Sequence, residues 1–181
     1  NGRIYGDDWV RLVSSIAPLA AAPVYIDDTP AISVRDLRAK ARRLKSEKGL
    51  AMIIIDYLQL MGSSSRVESR QQEVSQISRS LKALARELDV PIIALSQLSR
   101  SVEQGQEKKP SLSHLRESGS LEQDADIVMF IYRDEYYNEN SEQQGQAEII
   151  IAKHRNGATG SVFLSFRKEF TKFGNLSMRK E

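Results

Sequence analysis

Met52-Ile53-Ile54-Ile55-Asp56 is an apolar run that closes on one carboxylate. A strand with one wet face alternates apolar and polar side chains. This run is apolar on both faces, the pattern of a strand buried inside a parallel sheet. A second run of this kind, Ile92-Ile93-Ala94-Leu95, starts after Pro91 and ends in the polar pair Ser96-Gln97. Between them Val74, Ile77, Leu81, Leu84 and Leu88 recur at helical spacing, with Arg79, Lys82 and Arg86 on the other side. Strand, helix and strand in that order form the repeating unit of an α/β fold with a mostly parallel sheet.

The same reading extends in both directions. Upstream, Val24–Asp27 is predicted as a short strand closed by Asp28 and Pro30. Ser33-x-x-Asp36 opens a helix in capping-box style, and Gly49 ends it. Leu37, Ala41 and Leu44 share one face of that helix, opposite Arg35, Arg38, Arg42 and Lys45. Downstream, residues 62–65 are expected to be a mobile link and residues 99–113 a long polar loop, a length that is usually functional or disordered. Ser120-x-x-Gln123 predicts a second capping box on a short helix. Ile127–Tyr132 is predicted as a third buried strand, followed by a polar loop at Asn138–Gln146. Glu148–Lys153 and Ser161–Phe166, joined through Asn156-Gly157 and Gly160, form an antiparallel hairpin. No internal repeat or domain boundary is visible, so residues 1–181 are expected to be one domain.

Composition excludes several classes. The chain has 181 residues, enough for a core that needs no staple, and no cysteine, so disulfide scaffolds, cysteine zinc sites and thiol nucleophiles are out. With 40% hydrophobic and 28% charged residues it reads as soluble and globular. No apolar run is long enough to span a membrane, and residues 1–8 lack the apolar core of a signal peptide. The net charge of +2 argues for no polyanion by itself. Residues 35–48 and 153–181 are basic, and residues 117–148 are acidic. Such blocks are solvated surface, or facing surfaces of identical subunits.

Ligands of parallel sheets gather beyond the carboxyl ends of the strands. Asp56 at such an end is the Walker-B arrangement, in which a carboxylate holds the Mg²⁺ of a nucleotide through water. Gln97 at the neighbouring end could sense a γ-phosphate or orient water. Lys153 and Arg155 lie two apart on a strand, so both leave the same face, about 6.6–6.8 Å apart along it. His154 points the other way and reads as packing or surface, and His114 as loop surface. Asp27-Asp28 and Asp134-Glu135 have no His partners and read as turn formers rather than metal sites.

Four ordered motifs make the match specific: Ile54-Ile55-Asp56-Tyr57-Leu58-Gln59-Leu60-Met61, Ala94-Leu95-Ser96-Gln97-Leu98-Ser99-Arg100, the stretch Leu115 to Asp126, and Lys153-His154-Arg155-Asn156-Gly157. From about Tyr5 to Leu176 the chain resembles the bacterial replicative DNA helicases of the DnaB family. The resemblance implies a RecA-like ATPase core working as a homohexameric ring around single-stranded DNA, with ATP and Mg²⁺ as cofactors. It also implies 5′-to-3′ unwinding, a primase and a loader as partners, and a cytoplasmic, nucleoid-associated location. Asp56 and Gln97 become the catalytic residues, and Asp56 the magnesium residue. Arg116, Glu117 and Gly119 become the DNA contacts, Arg116 through charge, Gly119 through close backbone approach and Glu117 through its N–H. Lys153 and Arg155 become the finger on the neighbouring subunit's nucleotide.

One departure is informative. No Gly-x-x-x-x-Gly-Lys-Ser/Thr loop occurs in the 181 residues. The family carries that loop, and a catalytic glutamate after it, upstream of these motifs. The chain is therefore expected to be the later part of the motor and to hydrolyse no ATP alone. The alternatives are a non-catalytic module for oligomerisation and for DNA or protein binding, and another RecA-like ATPase such as a recombinase or circadian-clock relative. In the family the phosphate-loop strand lies between the strand ending in Gln97 and Ile127–Tyr132. Without it those two strands are expected to pair directly, to take a segment of another chain, or to associate through open edges. Each buried unpaired backbone group would otherwise cost about 1–3 kcal/mol.

Overall fold

The computed structural model describes residues 5–62, 69–99, 102, 108–118 (116–118 as backbone) and 120–176. They fall into two compact units, Asn1–Pro30 and Ala31–Glu181. The predicted link at 62–65 lies outside the described residues, apart from Gly62.

The first unit is a helix, α1 (Gly6–Ala21), followed by an extended stretch. The Asp8 carboxylate accepts from the Tyr5 N–H at 3.2 Å, and Asp7 and Asp8 sit at the positive end of the helix dipole. The sequence reading passed over α1, although Trp9, Val13 and Ile16 stand at helical spacing. The predicted strand at Val24–Asp27 does not form. Its backbone joins no ladder among the described residues, and Ile26 is 89% exposed. β-propensity makes a strand only where a neighbour supplies the pairing groups. Asp27 forms a turn instead, accepting from the Thr29 N–H at 3.1 Å and from its hydroxyl at 2.6 Å.

In the second unit, α2 (Val34–Lys48) starts and stops where its caps require. Ser33 Oγ accepts from the Asp36 N–H at 3.1 Å, and Gly49 takes φ 81° at the far end. Next come β1 (Ile53–Ile55), a 3-10 turn at Leu58–Leu60, α3 (Arg70–Leu88) and β2 (Ile92–Ala94). β1 and β2 pair in parallel, Ile53 with Ile92 and Ile55 with Ala94. α3 buries Val74, Ile77, Leu81, Leu84 and Leu88, the predicted face, against that pair. The first half of this face packs on Leu58, Met61, Leu121 and Ile55, and the second half on Ala41, Val90 and Ile53. The basic face of α2 is partly tied down, because Arg38 and Arg42 both reach the Glu87 carboxylate of α3.

A short helix, α4 (Ser120–Asp124), leads into β3 (Ile127–Tyr132), β4 (Gln146–His154), β5 (Gly160–Arg167) and β6 (Lys172–Asn175). These strands form a sequential antiparallel sheet, with Phe130 opposite Ile150 and Ile150 opposite Ser161. The predicted hairpin is β4–β5. The capping box at Ser120 is absent: the helix begins at Ser120 itself, and its hydroxyl has no partner among the described residues. A residue already inside the helix cannot cap it. Asp134 and Glu135 do form a turn, the 3-10 segment Asp134–Tyr136.

Among the described strands parallel pairing is thus limited to β1 and β2, with one isolated parallel bridge between Ser33 and Gly62, and the larger sheet is antiparallel. β2 and β3 belong to different sheets and do not pair, so of the three outcomes expected for these edges direct closure is not the one taken. That expectation assumed buried edges. Ile93 on β2 is 41% exposed and Met129 on β3 is 56% exposed, so neither strand is buried on both faces. Leu115, Val128 and Phe130 form a separate core cluster that Leu98, following β2, helps to cover.

Candidate functional site

The carboxyl ends of β1 and β2 are held together well beyond the strands. The Leu95 N–H donates to the Ile55 carbonyl and the Leu58 N–H donates to the Leu95 carbonyl, each at 2.9 Å. Asp56 follows β1, Gln97 follows β2, and both side chains are exposed. The structure therefore brings these two predicted residues to adjoining ends of one parallel pair. Among the described residues no cation pairs with the Asp56 carboxylate. An exposed carboxylate at a strand end fits a hydrated Mg²⁺ ion, which keeps most of its waters and takes one or two carboxylates. Among the described residues there is no group of three or more His, Asp or Glu suited to hold a metal by itself.

Gln59 joins the two ends, a role the sequence reading missed. Its Nε2 donates to Ser96 Oγ at 3.1 Å and to the Gln97 carbonyl at 3.3 Å, and its Oε1 accepts from the Gln97 N–H at 3.3 Å. Buried Leu58 and Met61 anchor its turn to α3, and the Arg70 guanidinium donates to the Gln59 carbonyl. The available signal was a lone amide between Leu58 and Leu60. A cleft of about 370 Å³ opens here, lined by Gln59, Arg70, Val74, Gln97, Ser99 and His114 among others. His114 serves its own loop: its Nδ1 accepts from the Ser111 N–H at 2.9 Å, and its carbonyl accepts from the Ser99 N–H at 3.4 Å.

The predicted DNA segment begins in a 3-10 run, Leu112–Ser118, pinned by buried Leu115. The side chains of Arg116 and Glu117, and all of Gly119, lie outside the described residues.

Lys153 and Arg155 leave one face of β4 and its extension, as their spacing predicts, and both reach the end of α4. The Lys153 ammonium donates to the carbonyls of Glu122, Gln123 and Ala125, the last at 2.8 Å. A cation at the negative end of a helix satisfies carbonyls that have no partner inside it. A β-bulge at Ala152 sits one residue before Lys153. Arg155 stays 45% exposed on its side chain and lies 3.5 Å from Asp126 Oδ1, while its N–H donates to the Asp126 carbonyl at 2.8 Å. Asp126 also pairs with Lys82. The hydrogen bond from Lys82 is the main cause that holds the Asp126 carboxyl below the usual carboxylate range; burial opposes it, and the charges of Lys82, Arg155 and Arg86 add to it. Arg79, Lys82, Arg86 and Arg155 line a cleft of about 280 Å³. His154 faces away and packs on Gly157, where a Cβ would stand 2.9 Å from the ring.

The family model of the DnaB-like helicase C-terminal domain matches residues 1–175. The replicative DNA helicase DnaB of Geobacillus stearothermophilus is 63% identical over 179 residues, 98% of this chain and 39% of that protein. The replicative DNA helicase DnaC of Bacillus subtilis (strain 168) is 58% identical over the same shares. The chain thus spans about two fifths of the length of these curated relatives. Among solved structures, one described as an ATPase domain superposes with a TM-score of 0.91 at 49% identity, covering 96% of this chain and 62% of that one. A DnaB-like replicative helicase, described with its interactions with primase, gives 0.91 at 48% identity, covering 97% of this chain and 42% of that one.

Proposed function

Because the chain belongs to the family of DnaB-like helicase C-terminal domains, we propose that it is the later part of an ATP-driven replicative motor that unwinds duplex DNA 5′-to-3′. The observation that carries this reading is the pair of adjoining strand ends, with exposed Asp56 after β1 and the anchored backbone of Gln97 after β2. ATP with its Mg²⁺ supplies the phosphoanhydride whose hydrolysis drives the motor. Asp56 holds the hydrated metal, and Gln97 orients water or reads the γ-phosphate. Arg155, exposed beside Asp126, serves the nucleotide of a neighbouring subunit in a homohexameric ring. Lys153 shares its strand face and stands behind it. Arg116, Glu117 and Gly119 take phosphates of single-stranded DNA in the channel. A primase and a loader complete the assembly on the nucleoid, in the cytoplasm.

The test is made in the full-length protein. Asp56→Asn and Arg155→Ala should each remove DNA-stimulated ATPase while leaving the ring assembled. In mixed rings, subunits bearing one defect and subunits bearing the other should restore activity where a good finger faces a good metal site. An Asp56→Asn protein that hydrolyses ATP at the unaltered rate would sink the reading, and an unaltered full-length protein with no ATPase at all would leave a non-catalytic DNA-binding and oligomerisation module.

A further inference from the structure

Gln59 engages both backbone polar groups of Gln97, a residue 38 positions away in the chain, and the neighbouring Ser96 hydroxyl as well. The orientation of its amide follows from its partners, because the Gln97 N–H requires the oxygen and the Gln97 carbonyl requires the nitrogen. The clamp does not occupy the Gln97 side chain, which stays exposed. Gln59 stands three residues beyond Asp56 on a turn whose flanking Leu58 and Met61 are buried at 2% and 3% exposure. The turn can hardly move without opening the core beneath it. The guanidinium of Arg70, the first residue of α3, holds the Gln59 carbonyl as well.

We propose that Gln59 is a positioning residue for the hydrolytic site: it sets the spacing between Asp56 and the Gln97 side chain, so that both act on the same nucleotide. The proposal rests on the reading of Asp56 and Gln97 given above. Ladder hydrogen bonds end at Leu95 and Leu58. Beyond that point only the Gln59 carboxamide, among the described residues, bridges from the turn after β1 to the Gln97 backbone. A group that carries water or senses phosphate must be placed to within a fraction of an ångström, and a 1 Å error can cost about 100-fold in rate.

The full-length helicase decides the matter. Gln59→Leu keeps the volume and removes all three hydrogen bonds. Gln59→Glu keeps an acceptor for the Gln97 N–H but sets a second oxygen against the Gln97 carbonyl. Both should lower the kcat of DNA-stimulated ATP hydrolysis by up to about 100-fold. Binding of a fluorescent ATP analogue should stay within about two-fold, since only uniform binding would move it. Combined with Gln97→Ala, Gln59→Leu should add no further slowing, because a residue that acts through another loses its effect when that other is gone. If Gln59→Leu does not fold, Gln59→Glu carries the same comparison. Unaltered kcat in the Gln59 variants beside a crippled Gln97→Ala would overturn the proposal and leave the role of Gln97 standing, as would fully multiplicative slowing in the double variant. A Gln97→Ala protein at full rate would overturn both.

Discussion

Lys153 and Arg155 converge on one backbone oxygen: the Gln123 carbonyl accepts from Lys153 Nζ at 3.3 Å and from Arg155 Nη2 at 3.4 Å. The two cations divide the work. Lys153 is spent on three carbonyls at the end of α4, whereas Arg155 keeps its guanidinium partly in solvent beside Asp126.

Lys153→Met should therefore loosen α4. Losing charge-assisted bonds to three carbonyls costs about 1.5–3 kcal/mol locally, and amide exchange in residues 120–125 should quicken by at least about ten-fold. Arg155→Ala should leave that exchange unchanged and lower DNA-stimulated ATPase of the full-length protein by on the order of 10³-fold, the effect expected of a finger residue.

Leu84 is fully buried in the cluster with Ala41, Leu88 and Val90. Leu84→Ala should cost about 2–5 kcal/mol, seen as a lower urea midpoint with little change in slope.

Tyr132 is pushed up to about 12 by burial first and then by its hydrogen bond to Asp134 and that carboxylate's charge. A folded state that holds its proton more tightly than the unfolded chain gains stability below pH 10, and loses it as pH rises from 10 to about 12. Unfolding followed between about pH 9 and 12 should show that decline, and Tyr132→Phe should flatten it. Asp126 has the opposite sign. Its lowered carboxyl favours the fold above the ordinary value of 3.8, and the effect fades as pH falls below it.

Arg116→Ala in the full-length protein should weaken binding of single-stranded DNA and flatten its salt dependence by up to about 0.7 per lost phosphate contact per subunit. Arg155→Ala should leave that slope in place. Identical salt slopes in the two variants would count against the division of roles.

Local chemistry wrote part of this molecule into its sequence. Ser33 with Asp36 and Gly49 bound α2, and the spacing from Val74 to Leu88 names the buried face of α3, because caps and helical periodicity involve residues within a turn of one another. Ile53–Ile55 and Ile92–Ala94 were legible as strands for the same reason, as were Asp56 and Gln97 at their ends. Everything that depended on a distant partner was decided by the tertiary structure. Val24–Asp27 has the side chains of a strand and no ladder to join, and β3 found its partner in β4 rather than in β2. Gln59 meets Gln97 across 38 residues and Lys153 meets Glu122 across 31, distances over which spacing carries no signal. Lys82 and Asp126 are separated by 44 residues, and only packing of α3 on α4, which ends just before Asp126, puts their opposite charges within reach.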